Sequence, residues 1–296
     1  MTGLSLEQPG VRSGTARRRG LTPQRATFIL RWVVIVAFGL AMGFPLLYLF
    51  SSSLMSATDV SAYPPHLLPP SIDWGNYADA YTYLTGRTIA NTFIYALGIL
   101  VLQLVITLPA GFALAKIRFR GAPVILALLV VPMFLPTNVV LVPLYAVTQQ
   151  LGLIGDYPGM IIPVVGRTAF GTLLFRQFFL SLPTGLIEAA RLDGAGWFRT
   201  LWSIAAPLAR PAIAAYASIT FLNAWNDYIW PLISAPDDAH RVMSVALAPL
   251  ANGQLSNIPP NVGLAAAVIS TVPVLLAFLF AQRWYVQGIV GTGVDY

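Results

Sequence analysis

The chain has 296 residues, of which 57% are hydrophobic and only 9% are charged. Soluble domains carry about 25% charged residues, so this composition indicates a membrane protein and excludes an ordinary soluble domain. Cysteine is absent, which excludes disulfides, thiolate catalysis and cysteine-ligated metals.

Residues 1–27 are predicted to form a disordered basic cytoplasmic tail, because Gly, Ser, Thr and Arg occur there without apolar periodicity. The net charge is +6, and much of it lies here and at the start of the first apolar run, in Arg12, Arg17, Arg18, Arg19, Arg25 and Arg31. Basic residues clustered beside apolar runs set membrane topology. The charge is therefore interpreted as an orientation signal, and no nucleic-acid partner is expected.

Six apolar segments of spanning length follow, and they predict an all-α membrane domain over residues 28–283. Their approximate limits are 28–50, 89–114, 122–147, 158–180, 207–232 and 262–283. If the N-terminal tail lies inside, the inner connections hold 14 basic residues and the outer ones only Arg87 and Arg241. The positive-inside rule then places both termini, including a C-terminal tail over 284–296, in the cytoplasm.

The inner connection 181–206 is predicted to form a helix–turn–helix. Pro183 suits the first turn of a helix and Ser181 is a plausible cap before it. The first helix presents Glu188 and Arg191 to solvent, three residues apart. It also carries a face of small and apolar side chains, formed by Leu186, Ala189, Ala190 and Leu192.

Gly194 is placed to end that first helix, since glycine commonly follows a helix C-terminus. A second helix is expected from about Ala195, with Trp197, Leu201 and Ile204 recurring on one side. The alternative is an ordinary amphipathic loop that lies on the inner leaflet.

This connection, EAARLDGAGWFRTLWSIAAPL (Glu188–Leu208), resembles the coupling loop of ATP-binding-cassette (ABC) importer permeases. Three further stretches are similar to the carbohydrate-type, MalG-like permeases: LLFRQFFLSLP (Leu173–Pro183), FLNAWNDYIWPL (Phe221–Leu232) and AQRWYVQGIVGTGV (Ala281–Val294). The resemblance covers most of residues 85–296. Ala206, where this family usually has leucine, and the ending Val294-Asp295-Tyr296 depart from its pattern.

The resemblance implies a type I ABC importer permease fold in the bacterial inner membrane. It also implies a second homologous permease subunit, two ATPase subunits, an extracytoplasmic solute-binding protein and a sugar substrate moved by alternating access. The residues that it assigns to ATPase coupling are Glu188, Ala189, Ala190, Asp193, Gly194 and Trp197.

The chain is not expected to be an enzyme. A nucleotide-binding loop needs Lys before Ser or Thr after a Gly-rich turn, and the single lysine, Lys116, is followed by Ile117. ATP and Mg are therefore expected on the partner ATPase subunits, with no cofactor in this chain. His66 and His240 are isolated in polar loops, so no metal site is expected.

Four polar residues inside apolar segments are candidates for the translocation path or gate. Arg167 lies within the fourth segment, and an ionisable group there usually faces a cavity or a partner. It is expected to line the cavity or to pair with Asp227 or with an acid of a partner, and a structural ion pair stays open. Asn223, Asn226 and Asp227 have the spacing of one helical face, which suits either a gate or helix association.

Two further alternatives stay open from the sequence. The first keeps the importer class but has glycerol phosphate or another polar metabolite as the substrate instead of a sugar. The second is a protein outside that class, either a self-contained carrier or channel or a scaffold that transports nothing. No internal repeat supports a carrier.

Overall fold

The computed structural model describes residues 23–251 and 258–290, and these ranges contain helices and loops but no strand. The all-α prediction is confirmed. Residues 1–22 and 291–296, which hold most of the predicted N-terminal tail and the end of the C-terminal one, lie outside the described residues. Helix α1 (Pro23–Ser52) contains the whole of the first predicted span, residues 28–50.

In the part of the chain that the structure describes, three helices are long and apolar enough to cross a membrane: α1, α3 (Gly75–Lys116) and α14 (Pro260–Val290). Helix α3 is kinked at Thr85, where φ is +59°. The short helix α2 (Ala57–Val60) precedes α3. Helix α14 continues into the segment 284–290, so the predicted C-terminal tail begins as helix. Proline is tolerated at Pro109 and Pro273 within these helices because bundles satisfy the freed backbone carbonyls.

The remaining spans are bent pairs. Helix α4 (Ala122–Val130) and a 3₁₀ turn meet α5 (Thr137–Gln150) at 107°. Helices α6 (Tyr157–Val165) and α7 (Ala169–Ser181) meet at 46°. Each of these two pairs corresponds to one predicted span. A third bent pair, Trp197–Leu208 with Arg210–Trp225, brings the described residues to as many as six spans, the predicted number. Pro132 and Pro136 account for the sharper bend, because proline supplies no backbone N–H for a helical hydrogen bond.

The connection 181–206 and the fifth span are also segmented. Helices α8 (Thr184–Leu192) and α9 (Trp197–Thr200) are followed by a π turn (Leu201–Ala205) and α10 (Ala206–Leu208). Helix α11 (Arg210–Trp225) lies at 80° to the preceding helical stretch. Helices α12 (Ile229–Ser234) and α13 (Met243–Ala251) lead to α14.

Buried apolar side chains form two clusters along α3. One cluster joins α3 to α6, α11, α12, α13 and α14 and includes Tyr95, Met160 and Trp230. The other joins α3 to α7, α8, the π turn and α11. The second cluster therefore connects α8 and the π turn with α3 and α11.

Candidate translocation cavity and coupling hairpin

Arg167 lies in the break between α6 and α7 rather than within a continuous helix. Such a break leaves backbone carbonyls without helical partners, and these are costly in a membrane. Gln103 of α3 supplies one replacement, since its Nε2 atom donates to the Val164 carbonyl at 3.0 Å. Its Oε1 atom accepts a hydrogen bond from the Tyr216 hydroxyl at 2.8 Å. One buried amide thus connects α3, the break and α11.

Asp227 lies in the break between α11 and α12. Helix α11 ends at Trp225 and Asn226 forms its cap, so the prediction of one helical face for Asn223, Asn226 and Asp227 was wrong. The Tyr95 hydroxyl donates to Asp227 Oδ2 at 2.8 Å.

The backbone carbonyl of Asp227 is also bound, since it accepts from the Ser244 hydroxyl at 2.7 Å. Asn226 turns its amide back to the Leu222 carbonyl at 3.0 Å. The break is thereby held from α3 on one side and from α13 on the other.

A cavity of about 380 Å³ brings three of the four predicted path residues together. Arg167, Asn223 and Asp227 line it, whereas Asn226 does not belong to its wall. Its remaining wall is formed by Ile99, Gln103, Val164, Phe170, Tyr216, Ile219, Thr220 and Ala224. The cavity is therefore bounded by α3, α11 and the two helix breaks.

Arg167 and Asp227 share this cavity without forming an ion pair. Among residues 30–250 and 258–279, the side-chain ion pairs closer than 4.0 Å are His240 with Asp237 and Arg241 with Asp238. Of the pairings expected for Arg167, the one with Asp227 is therefore wrong for this structure. Both charged side chains can therefore bind another group that enters the cavity.

The coupling hairpin, residues 181–206, turns at Gly194. The amide of Gly194 donates to the Arg191 carbonyl at 3.1 Å, and that of Ala195 donates to the Ala190 carbonyl at 3.0 Å. These two bonds form a Schellman motif, in which the residue after the helix cap adopts a left-handed conformation. Gly194 has φ +81°, which glycine reaches without steric cost. The predicted helix stop is confirmed by this geometry.

Arg191 and Trp197 hold the two helices of the hairpin together. Arg191 Nη1 donates to the Ala195 carbonyl at 3.0 Å, and its guanidinium carbon lies 4.5 Å from the Trp197 ring centroid. The second helix begins at Trp197, two residues later than predicted. The prediction that Ser181 caps α8 was wrong. The Ser181 hydroxyl instead donates to the Phe178 carbonyl, at the end of α7. Pro183 itself occupies the position before α8.

One side of the hairpin is anchored in the second apolar cluster. Ile187, Ala190 and Leu201 are buried there together with Phe175 and Phe179. The predicted apolar face was therefore wrong in register: Ile187 and Ala190 point inward, whereas Leu186, Ala189 and Leu192 are exposed. Lys116 Nζ adds a polar link by donating to the Leu182 carbonyl at 2.8 Å.

The opposite side of the hairpin is exposed. Of the predicted coupling residues, Glu188, Ala189, Asp193, Gly194 and Trp197 are exposed and only Ala190 is buried. Two large apolar side chains beside them are even more accessible, Leu192 at 88% and Phe198 at 77%. Exposed apolar groups on a rigid turn are typical of a protein-binding surface.

Sequence reasoning missed Gln103, Tyr95 and Tyr216 as parts of the site. A signal was present for Gln103, since a lone glutamine within an apolar span usually has a specific partner. The tyrosines carried no such signal, because their roles depend on which helices pack together.

The sequence of this chain matches a known protein family. Residues 107–291 match the family described as "Binding-protein-dependent transport system inner membrane component". The sn-glycerol-3-phosphate transport system permease protein UgpE of Agrobacterium fabrum is 32% identical over 272 residues, covering 89% of this chain and 96% of the relative. UgpE of Rhizobium meliloti is 33% identical over 257 residues, covering 84% and 91%.

A solved structure agrees with these relatives. A chain of a bacterial ABC transporter involved in the import of the acidic polysaccharide alginate superposes with a TM-score of 0.78 and 28% identity. The superposition covers 88% of this chain and 97% of that one. This chain therefore belongs to the inner-membrane components of binding-protein-dependent transport systems and is a multi-pass permease subunit of an ABC importer.

Proposed function

We propose that this chain forms half of a translocation pathway together with a second, homologous permease. Two ATPase subunits that bind ATP and Mg dock on the coupling hairpin, and an extracytoplasmic solute-binding protein delivers the substrate. The end of the bundle that carries the hairpin then faces the cytoplasm, as does each terminus. The relatives transport sn-glycerol 3-phosphate or alginate by name, so we propose a hydroxyl-rich solute, either a sugar or a glycerol phosphate.

The observation that carries the coupling proposal is a continuous packed connection from the hairpin to the cavity. Leu201 of the hairpin packs in the same cluster as Phe175 and Tyr216. The rings of Phe175 and Tyr216 meet edge to face, with centroids 5.2 Å apart. The Tyr216 hydroxyl then binds Gln103, which holds the break at Arg167. Because packed elements move as units, a displaced hairpin moves the cavity wall as well.

The proposed cycle is alternating access. ATP binding closes the ATPase subunits and displaces both permease hairpins, so the cavity changes from inward-facing to outward-facing. The exposed residues Leu192 and Phe198 supply apolar contact with the ATPase, while Glu188 supplies a carboxylate for a basic residue there. The small side chain of Ala189 allows the ATPase to approach the hairpin backbone closely.

The test is reconstitution of the complete transporter in proteoliposomes. We expect uptake only when this chain, its partner permease, the ATPase subunits, the solute-binding protein and ATP are all present. Omission of the ATPase subunits should abolish uptake. Uptake by the chain alone, driven by an ion gradient, would instead establish a self-contained carrier.

Glu188→Ala tests the hairpin within that transporter. We expect ATP-driven uptake to fall about tenfold, the effect of removing one charge-assisted hydrogen bond worth about 1.5 kcal/mol. Assembly in detergent should be unchanged, since the Glu188 side chain is exposed. Arg120→Gln, an exposed charge change outside the hairpin, is the matched control. Equal uptake by wild type and Glu188→Ala would remove Glu188 from the coupling surface.

A further inference from the structure

We propose that Arg167 binds the anionic group of the transported solute, which carries a phosphate or a carboxylate in addition to hydroxyls. This inference rests on the proposed function, because it treats the cavity as part of the pathway. It goes further by naming the chemical class of the solute and the residue that selects it.

The guanidinium group of Arg167 has no directly bonded partner among the described side chains, although Asp227 lines the same cavity. Its side chain is exposed to the cavity and makes neither an ion pair nor a hydrogen bond with any residue in 30–250 or 258–279. Only its backbone is engaged, by Val164 and Gln103. A charged arginine at the centre of a membrane costs about 3 kcal/mol, so such residues pair with a counter-charge or face water.

The other polar side chains of the cavity are hydrogen-bonded to different extents. Gln103 and Tyr216 are bound to each other. Asp227 accepts a hydrogen bond from Tyr95 through Oδ2, which leaves its Oδ1 atom without a hydrogen-bond partner in the described part of the chain. The Asn223 side chain is exposed and equally without a partner there.

The free groups are therefore one guanidinium, one amide and one carboxylate oxygen. A guanidinium binds phosphate or carboxylate with two parallel hydrogen bonds, while an amide and a carboxylate oxygen suit hydroxyl groups. A neutral sugar would satisfy Asn223 and Asp227 but would give the guanidinium no directly bound anionic partner. The volume of about 380 Å³ lies in the range of small-molecule sites and exceeds that of a three-carbon phosphate ester.

The absence of cysteine allows a direct measurement of the cavity potential. Asn223→Cys places one thiol on the wall, and its labelling is compared between a negatively charged and a positively charged methanethiosulfonate reagent. The complete transporter is used, and modification is read from the mass of this chain. We expect the negative reagent to react faster, and Arg167→Gln to lower that preference about tenfold or more, the effect of one charge-assisted hydrogen bond.

Phe170→Cys provides a second thiol on the same wall if the first variant fails to assemble. Arg120→Gln is the control for loss of a positive charge, since Arg120 is exposed outside the cavity. sn-Glycerol 3-phosphate should protect the thiol, whereas glycerol at the same concentration should not. A labelling preference that Arg167→Gln leaves unchanged would overturn the proposal and would indicate that Arg167 pairs with an acid of the partner permease.

Transport measurements distinguish a failure of this inference from a failure of the proposed function. Uptake of sn-glycerol 3-phosphate, a uronate oligosaccharide and maltose is measured with wild type, Arg167→Lys and Arg167→Gln. We expect the anionic solutes to be transported, with Arg167→Lys retaining more activity than Arg167→Gln because it keeps the charge. ATP-driven uptake of maltose alone would overturn the anion inference but support the proposed function. ATP-independent uptake would overturn the proposed function, whatever the labelling preference.

Discussion

Gly194→Val is expected to reduce ATP-driven uptake by about tenfold while the membrane-spanning helices stay folded. Gly194 has φ +81°, and a residue with a side chain adopts that conformation at a cost of about 1–2 kcal/mol. Such a strain changes the population of the native turn by a factor of about 5–30. Space is not the reason, because a Cβ atom at Gly194 would meet nothing within 4 Å. The measurement is uptake in proteoliposomes beside the ATPase rate of the same complex.

A graded series distinguishes turn geometry from side-chain size at this position. Asparagine tolerates the left-handed conformation better than alanine or valine, so uptake should fall in the order Gly, Asn, Ala, Val. The strain weakens the backbone hydrogen bonds that the Gly194 and Ala195 amides donate to the last turn of α8. The exposed Leu192 is therefore displaced. An ATPase rate that persists while uptake falls indicates uncoupling.

Gly152→Val is the matched control for backbone strain. Gly152 has φ +69° and follows α5 in the same motif, since its amide donates to Gln149 and the amide of Leu153 donates to Thr148. A Cβ atom there also has open space. Gly152→Val should cost similar stability without uncoupling. Equal loss of uptake in both variants would show that strain alone, and not the hairpin, explains the effect.

The sequence predicted the number and approximate limits of the spans because long apolar runs depend only on composition along the chain. It did not predict the helix breaks at Gly166 and Asp227. A bend in a membrane helix survives only where another helix supplies the missing hydrogen bonds, and no local pattern reveals that helix. Gln103, for example, lies 61 residues before the Val164 carbonyl that it satisfies.

The candidate sites were predictable to different degrees. The hairpin is a local structure, so the helix stop at Gly194 and the exposure of Glu188 followed from spacing, whereas Asp193 was assigned only by the family resemblance. Its buried face was assigned wrongly, because Ile187 is held by Phe175 and Phe179 of α7 rather than by its own helix. Arg167 and Asp227 were recognised as polar residues in apolar runs, but their common cavity arises only when α3 and α11 pack together.

Gly111→Ala is expected to have the second large effect, by separating α3 from α7. A Cβ atom at Gly111 would lie 2.7 Å from the Phe175 Cβ atom and 2.9 Å from the Arg176 amide nitrogen. Both contacts are shorter than real Cβ atoms adopt, and a backbone atom yields only if the whole helix shifts. Overpacking of this kind costs about 1–3 kcal/mol. The loss should appear as a lower unfolding temperature and a lower yield of the purified transporter.

Gly263→Ala shows what the same added methyl does without a close neighbour. Gly263 lies in α14, where a new Cβ atom would meet Leu250 only at 3.8 Å, an ordinary contact. Alanine is favoured over glycine within a helix by about 1 kcal/mol, so this variant should be unchanged or more stable. The two substitutions should therefore shift the unfolding temperature in opposite directions. If Gly111→Ala were as stable as Gly263→Ala, the close approach of α3 and α7 would be wrong, and with it the packed route from the hairpin through Phe175 to the cavity.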